Sequence, residues 1–123
     1  MRFLLLCLVV FISCKDSPPE EIVMHVHQAT IKARVYQLLA GGGGNAIEVP
    51  IQGAAVELYT SEEDRALGIN LVMARPTDTA GLATFTKLEE KYYYLRVTHA
   101  HFGEQLEEVS TPDGTVSFVD VIY

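Results

Sequence analysis

Residues 29–36 read Ala-Thr-Ile-Lys-Ala-Arg-Val-Tyr, with Ile31, Ala33 and Val35 on one parity and Lys32, Arg34 and Tyr36 on the other. Period-two alternation with β-branched residues predicts a half-buried strand. The run Gly41–Gly44 ends it. A phosphate-cradling loop would need Gly-Lys-Ser/Thr opening a helix, whereas Asn45-Ala46-Ile47 follows here and no helical period comes after it. The glycines therefore predict a flexible hairpin connection.

The same alternation recurs downstream. Ala54, Val56 and Leu58 oppose Ala55, Glu57 and Tyr59 in a second strand. Residues Ile69 to Ala74 read as a third, stopped by Pro76, after a charged stretch from Ser61 to Arg65 that predicts a solvated turn or a short helical insertion. Thr77 to Gly81 is turn chemistry, with Gly81 able to take a positive φ. Leu82–Thr86, Lys91–His99, Gly103–Val109 and Thr115–Ile122 complete seven short strands, the last two around Pro112-Asp113-Gly114. Turn signals about every ten residues and no strong amphipathic helix predict an all-β fold, a seven-stranded antiparallel β-sandwich over residues 25–123. Neither an internal repeat nor a second domain is visible.

The chain has 123 residues, 49% of them hydrophobic, with 9 Lys+Arg against 16 Asp+Glu and a formal charge of -7. That length fits one domain with a real core. The apolar fraction excludes a disordered tail. Nucleic-acid binding needs a basic face, and none is present.

Met1-Arg2 is followed by ten apolar residues, Phe3 to Ile12, and then by Ser13-Cys14. One positive charge, a short hydrophobic stretch and a small residue before a cut predict a secretory signal, residues 1–13. The stretch is too short to span a bilayer, which takes about 20 apolar residues. Phe11-Ile12-Ser13-Cys14 resembles the lipobox of bacterial lipoproteins, with Phe where Leu is usual. The resemblance implies cleavage before Cys14, lipid on its sulfur, and a membrane partner bound through that lipid at about 0.8 kcal/mol per buried methylene. Of the two cysteines, Cys7 leaves with the signal, so no intrachain disulfide forms in a mature chain of 8 basic and 16 acidic residues. Residues 14–24 hold the anchor and a polar, proline-bearing spacer that keeps the domain off its membrane. Lys15-Asp16 resembles the export tethers of some surface lipoproteins, which implies an outer-membrane or cell-surface location and leaves the membrane face open.

Three stretches resemble carboxypeptidase-regulatory-like domains of the transthyretin-like group. They are residues 29–36, Pro50 to Leu58 (family pattern P-x-x-G-A-x-V-x-L), and Thr77 to Phe85 with Leu88 and Tyr93 to Val97. The likeness implies a transthyretin-like or Ig-like sandwich in which Asp78 and Gly81 make a turn, Phe85 and Leu88 plug the core, and Tyr93, Leu95 and Val97 line an inner face. Fold does not set function. Adhesin repeats of this group carry a Lys–Asn isopeptide bond, but Lys32 has outward parity and no Asn follows Asn70. Hydroxyisourate hydrolases of the group end Tyr-Arg-Gly-Ser, and this chain ends Val121-Ile122-Tyr123.

All four histidines occur as His-x-His: His25 with His27, and His99 with His101. On a strand, residues two apart share a face, so each pair offers two imidazoles to zinc or copper, with Glu104, Glu107 or Glu108 as orienting acids. Strands alternating in direction send the first and fifth the same way, which puts the two pairs at opposite ends of the sandwich. Four ligands on one ion then need a different topology, a folded-back N-terminal arm or a neighbouring molecule. Arg96 to Phe102 resembles the iron-binding strand of intradiol dioxygenases (R-x-x-H-x-H-F), for which Tyr59 and Tyr92 are the available tyrosines at unsuitable spacing. No Gly-x-Ser-x-Gly elbow occurs, and Cys14 is taken by lipid. The expectation is a membrane-anchored, non-catalytic binding or structural module without a cofactor. Its protein or glycan partner would meet the Gly41–Gly44 loop, the 61–68 insertion, or a patch of Tyr59, Tyr92 and Tyr94. The alternatives are a metal-binding lipoprotein and, third, the iron enzyme.

Overall fold

A computed structural model describes residues 27–123, so the signal segment, Cys14, the spacer and His25 lie outside the described residues. The alternating stretches form strands, and the structure adds one to the expected seven. In chain order these are β1 (Ala29–Ala40), β2 (Ala46–Pro50), β3 (Ala55–Tyr59), α1 (Glu62–Leu67), β4 (Met73–Pro76), β5 (Leu82–Leu88), β6 (Tyr92–His99), β7 (Gly103–Ser110) and β8 (Val116–Ile122). They make two four-stranded sheets. One holds β1, β2, β5 and β8, and the other runs β4-β3-β6-β7. Among the described residues the architecture is an all-β sandwich with one short α-helix.

Strand β1 organises the first sheet because it has three partners. Both β5 (antiparallel) and β8 (parallel) pair with its first half, so they occupy opposite edges. The Val35 N–H donates to the Gly81 carbonyl at 2.7 Å, and the Val35 carbonyl accepts from the Ile51 N–H at 3.0 Å. A strand residue points both backbone groups to one edge. Hence β2 succeeds β5 along that edge, pairing with Tyr36 to Ala40. Beyond Tyr36 the β1–β2 hairpin is a two-stranded ribbon that outruns its sheet.

The core is the meeting of two parities. Ile31, Ala33, Val35, Phe85, Val119 and Val121 face Val56, Leu58, Tyr93, Leu95 and Val97, and all are buried. Phe85 and Leu88 lie three apart, which on a regular strand puts them on opposite faces. Both are buried because Ile31 pairs with Phe85 while Ala29 pairs with Leu88, leaving one extra residue in β5. Lys87 in the left-handed region (φ 58) takes up this bulge and restores Leu88 to the core.

Two expectations about boundaries change. Residues 69–72 are exposed coil, because α1 ends on Gly68 in the left-handed conformation and the Ile69 N–H caps the Asp64 carbonyl. The strand opens at Met73 only after that cap is complete. Residues 46–50 are a strand although every residue in them is exposed, held by pairing with Tyr36 to Ala40 and not by burial.

The turn before β5 is bonded on both sides. Asp78 Oδ1 accepts from the Ala80 and Leu82 N–H groups at 2.9 and 3.0 Å. Thr77, itself buried, donates its hydroxyl to the Ile51 carbonyl at 2.7 Å and accepts from the Ala54 N–H at 2.9 Å. Gly81 has φ 76, and a Cβ there would sit 2.5 Å from the Val35 carbonyl oxygen. Gly81→Ala should therefore cost about 2–4 kcal/mol through strain and a displaced β1 contact. Thr77→Val should cost about 1–3 kcal/mol by orphaning two buried backbone groups. Denaturant melts of both variants check this, and a wild-type midpoint for Gly81→Ala would show the turn to be undocked.

Candidate functional site

His27 Nε2 lies 3.7 Å from Glu89 Oε1, just ahead of β6. His99 closes β6, and Tyr123, following β8, donates its hydroxyl to the Gly103 and Val97 carbonyls at 2.8 and 3.3 Å. Strands β1, β6 and β8 thus run the same way, and the length of β6, about 23 Å at 3.3 Å per residue, separates His27 from His99. His99 Nδ1 accepts from the His101 N–H at 3.1 Å, which leaves Nε2 as the open nitrogen of that ring. The His99 ring centroid lies 5.7 Å from that of His101 and 5.0 Å from that of Phe102, and Phe102 meets Tyr123 at 5.4 Å. The result is an aromatic end cap. Among the described residues no group of three or more His, Cys, Asp or Glu side chains converges to hold a metal. Tyr92 opens β6 and Tyr59 pairs with Tyr94, so the tyrosines named for an iron site stand toward the far end of that strand from His99.

A cluster that the sequence did not announce lies on the outer face of the β4-β3-β6-β7 sheet. Ser61 caps α1 by accepting from the Asp64 N–H at 3.1 Å, and the helix packs against β3 and β6. Its charges were expected to be solvated, yet Arg65 is buried. Arg65 Nη1 donates to the Glu107 and Leu95 carbonyls at 3.1 and 3.3 Å, and its guanidinium lies 5.4 Å from the Tyr94 ring centroid. Tyr59 has the expected outward parity but is only 1% exposed, so it belongs to this packed layer and not to an open aromatic patch. Tyr92 and Tyr94 do meet, with ring centroids 5.4 Å apart.

Next to them, Glu57 Oε1 accepts from Arg96 Nε at 2.8 Å and from the Tyr59 hydroxyl at 3.1 Å. Glu104 stands 3.9 Å from the same Arg96 nitrogen. The Glu57 hydrogen bond raises the Arg96 pKa. Burial, followed by the hydrogen bond to Glu57, raises the Tyr59 phenol above its ordinary range. Outward parity of Glu57 and Arg96 was legible from the strands. Their pairing was not, because it depends on β3 lying beside β6 with Glu57 opposite Arg96.

The third feature is the ribbon. Leu39 pairs with Ile47, Gln37 with Val49 and Leu38 with Glu48, and Leu38, Leu39, Ile47 and Val49 are all exposed. At its base Arg34 donates to both Asp120 oxygens at 3.1 and 3.3 Å and to Glu48 at 3.3 Å, tying β8, β1 and β2 together. The Gly41–Gly44 run forms the hairpin tip, as expected, as a 3-10 turn.

No family model matches the sequence, and no curated protein does. Solved structures do match in shape. GBS52, the minor pilin of Streptococcus agalactiae, superposes with a TM-score of 0.56 at 16% identity, over 79% of this chain and 44% of that one. The Bacillus anthracis TIE protein matches with a TM-score of 0.54 at 13% identity, over 78% of this chain and 16% of that one. The chain thus spans less than half the length of each of these proteins, and identities this low speak to fold.

The phenol of Tyr59 makes the packed layer testable. Its folded pKa is raised, so its contribution to stability is complete below the ordinary tyrosine pKa of about 10. That contribution is lost as pH rises through the folded value, because the unfolded chain ionises first. Thermal melts should stay level through neutral pH and fall above about pH 10. Tyr59→Phe should fall less steeply, and an unchanged alkaline slope would show that Tyr59 is not protected from ionisation.

Proposed function

We propose that the chain is a lipid-anchored, extracytoplasmic, non-catalytic binding module that meets its partner with the β1–β2 ribbon. The observation that carries this reading is the ribbon itself: four exposed apolar side chains on two short strand segments that reach past the sheet they belong to. Recognition elements commonly project from a rigid sandwich in this way. Strand β1 enters at one end of the domain beside Glu89 and carries the ribbon at the other. A tether through residues 14–24 to lipid on Cys14 would place the membrane at the entry end and the ribbon at the far end. The pilin-like fold supports a cell-surface setting. The lipobox resemblance supports the anchor.

Cells producing the full chain provide the test. Cys14→Ser should move the protein from the membrane to the soluble fraction. A photo-crosslinking residue at Ile47 should give a discrete adduct on intact cells, and the same residue at Lys87, at the opposite end, should give none. Equal adducts at both positions, or none at Ile47, would overturn the ribbon as the contact. Leu39→Asp with Ile47→Asp should abolish the adduct formed by a probe at Val49 and leave the melting temperature nearly unchanged, because both side chains are exposed and such surface changes lie within about 0.5 kcal/mol.

A further inference from the structure

The cleft between α1 and the outer face of β6 and β7 lies away from the ribbon. It holds about 310 Å3 and is lined by Glu62, Arg65, Ala66, Arg96, Glu104 and Leu106. That is near the lower bound of small-molecule sites, which span about 300–1,000 Å3. Its walls are held in place. Arg65 is buried and fixed by two backbone carbonyls, and Arg96 is fixed by Glu57. Planar donors and acceptors whose geometry is set beforehand lose little entropy on binding.

The charge pattern selects the ligand class. The lining holds two guanidinium groups and two carboxylates, so its formal charges cancel. A phosphate or carboxylate ligand drawn to Arg65 and Arg96 would meet Glu62 and Glu104. A cation drawn to the carboxylates would meet the two arginines. A neutral ligand rich in hydroxyl groups meets neither conflict, because each hydroxyl donates to a carboxylate and accepts from a guanidinium. Leu106 and Ala66 supply the apolar wall that the C–H face of a sugar ring requires.

We propose that this cleft binds a neutral sugar, one ring of a larger glycan, through Arg96 and Glu104 on one side and Glu62 and Arg65 on the other. The proposal rests on reading the chain as a binding module, but it uses a different surface from the ribbon. Ligand hydroxyls meet Arg65, Arg96 and Glu104, which already have partners within the protein, and this favours modest affinity and rapid exchange over tight capture.

The test is amide and arginine side-chain NMR of the full-length protein in detergent, titrated with glucose, galactose, mannose and N-acetylglucosamine, and in parallel with inorganic phosphate and putrescine. Saturable shifts at Ala66, Leu106 and the Arg96 Nε–H with at least one neutral sugar are expected, with none from the two charged probes. Leu106→Trp, at an exposed position across the strands from Arg96, fills the cleft and should weaken the binding at least tenfold, with the melting temperature retained. Arg96→Leu should do the same. If Arg96→Leu fails to fold, Glu104→Gln, an exposed position, is the substitute. Absence of shifts with all four sugars, equal shifts in Leu106→Trp, or saturation by phosphate would each overturn the proposal. Crosslinking at Ile47 is read separately, so a sugar-free cleft with an intact ribbon adduct sinks this inference alone.

Discussion

The hydrogen-bonding capacity of β1 is the constraint on which the rest of the molecule depends. A strand has two edges, and β1 uses both along its first half, with β8 on one and β5 on the other. The β5 edge then passes to β2 at Val35, where the Gly81 carbonyl and the Ile51 N–H share one residue. That handover requires a glycine at position 81, since any Cβ would collide with the Val35 carbonyl. It also requires Thr77 to bond the two backbone groups that flank the crossing. The sandwich, the docked turn and the projecting ribbon are consequences of one strand with three neighbours.

The outer faces of the two sheets are built on different physics. On the face carrying α1, a buried cation is tolerated because backbone carbonyls and an aromatic ring replace its water. A six-residue helix has little stability of its own. Arg65 pins it to the sheet and in doing so forms one wall of a cleft. On the other sheet, Arg34 is half-exposed and pairs with Asp120 and Glu48 in water. Such pairs contribute little energy singly, and here they link β8, β1 and β2 at the base of the ribbon.

Exposed apolar residues on the ribbon carry a cost that a purely structural hairpin would avoid, because unpaired strand edges and apolar surface favour aggregation. A contact role is consistent with that cost. The ribbon and the cleft are on separate parts of the domain, so a protein contact and a sugar contact would not compete for the same side chains.

Local chemistry determined much of this protein. Alternation in residues 29–36, 54–59 and 92–97 set which side chains enter the core, because side-chain direction on a strand has a period of two whatever the fold. Asp78 and Gly81 announced their turn for reasons of backbone geometry, and the glycine run announced the hairpin tip. What the tertiary structure decided is everything that needs a second segment. Strand β2 exists because β1 has a free edge beside it: the short alternation Ile47-Glu48-Val49 buries nothing and is held only by that pairing. Leu88 is buried through a bulge that only the pairing with Ala29 defines, and Tyr59 and Arg65 are buried because α1 packs on the outer face of β3 and β6. His27 and His99 are kept a strand length apart by the parallel course of β1 and β6. Sequence parity tells a side chain which way to point, but only the packed neighbour determines whether water, a carbonyl or another charge is waiting there.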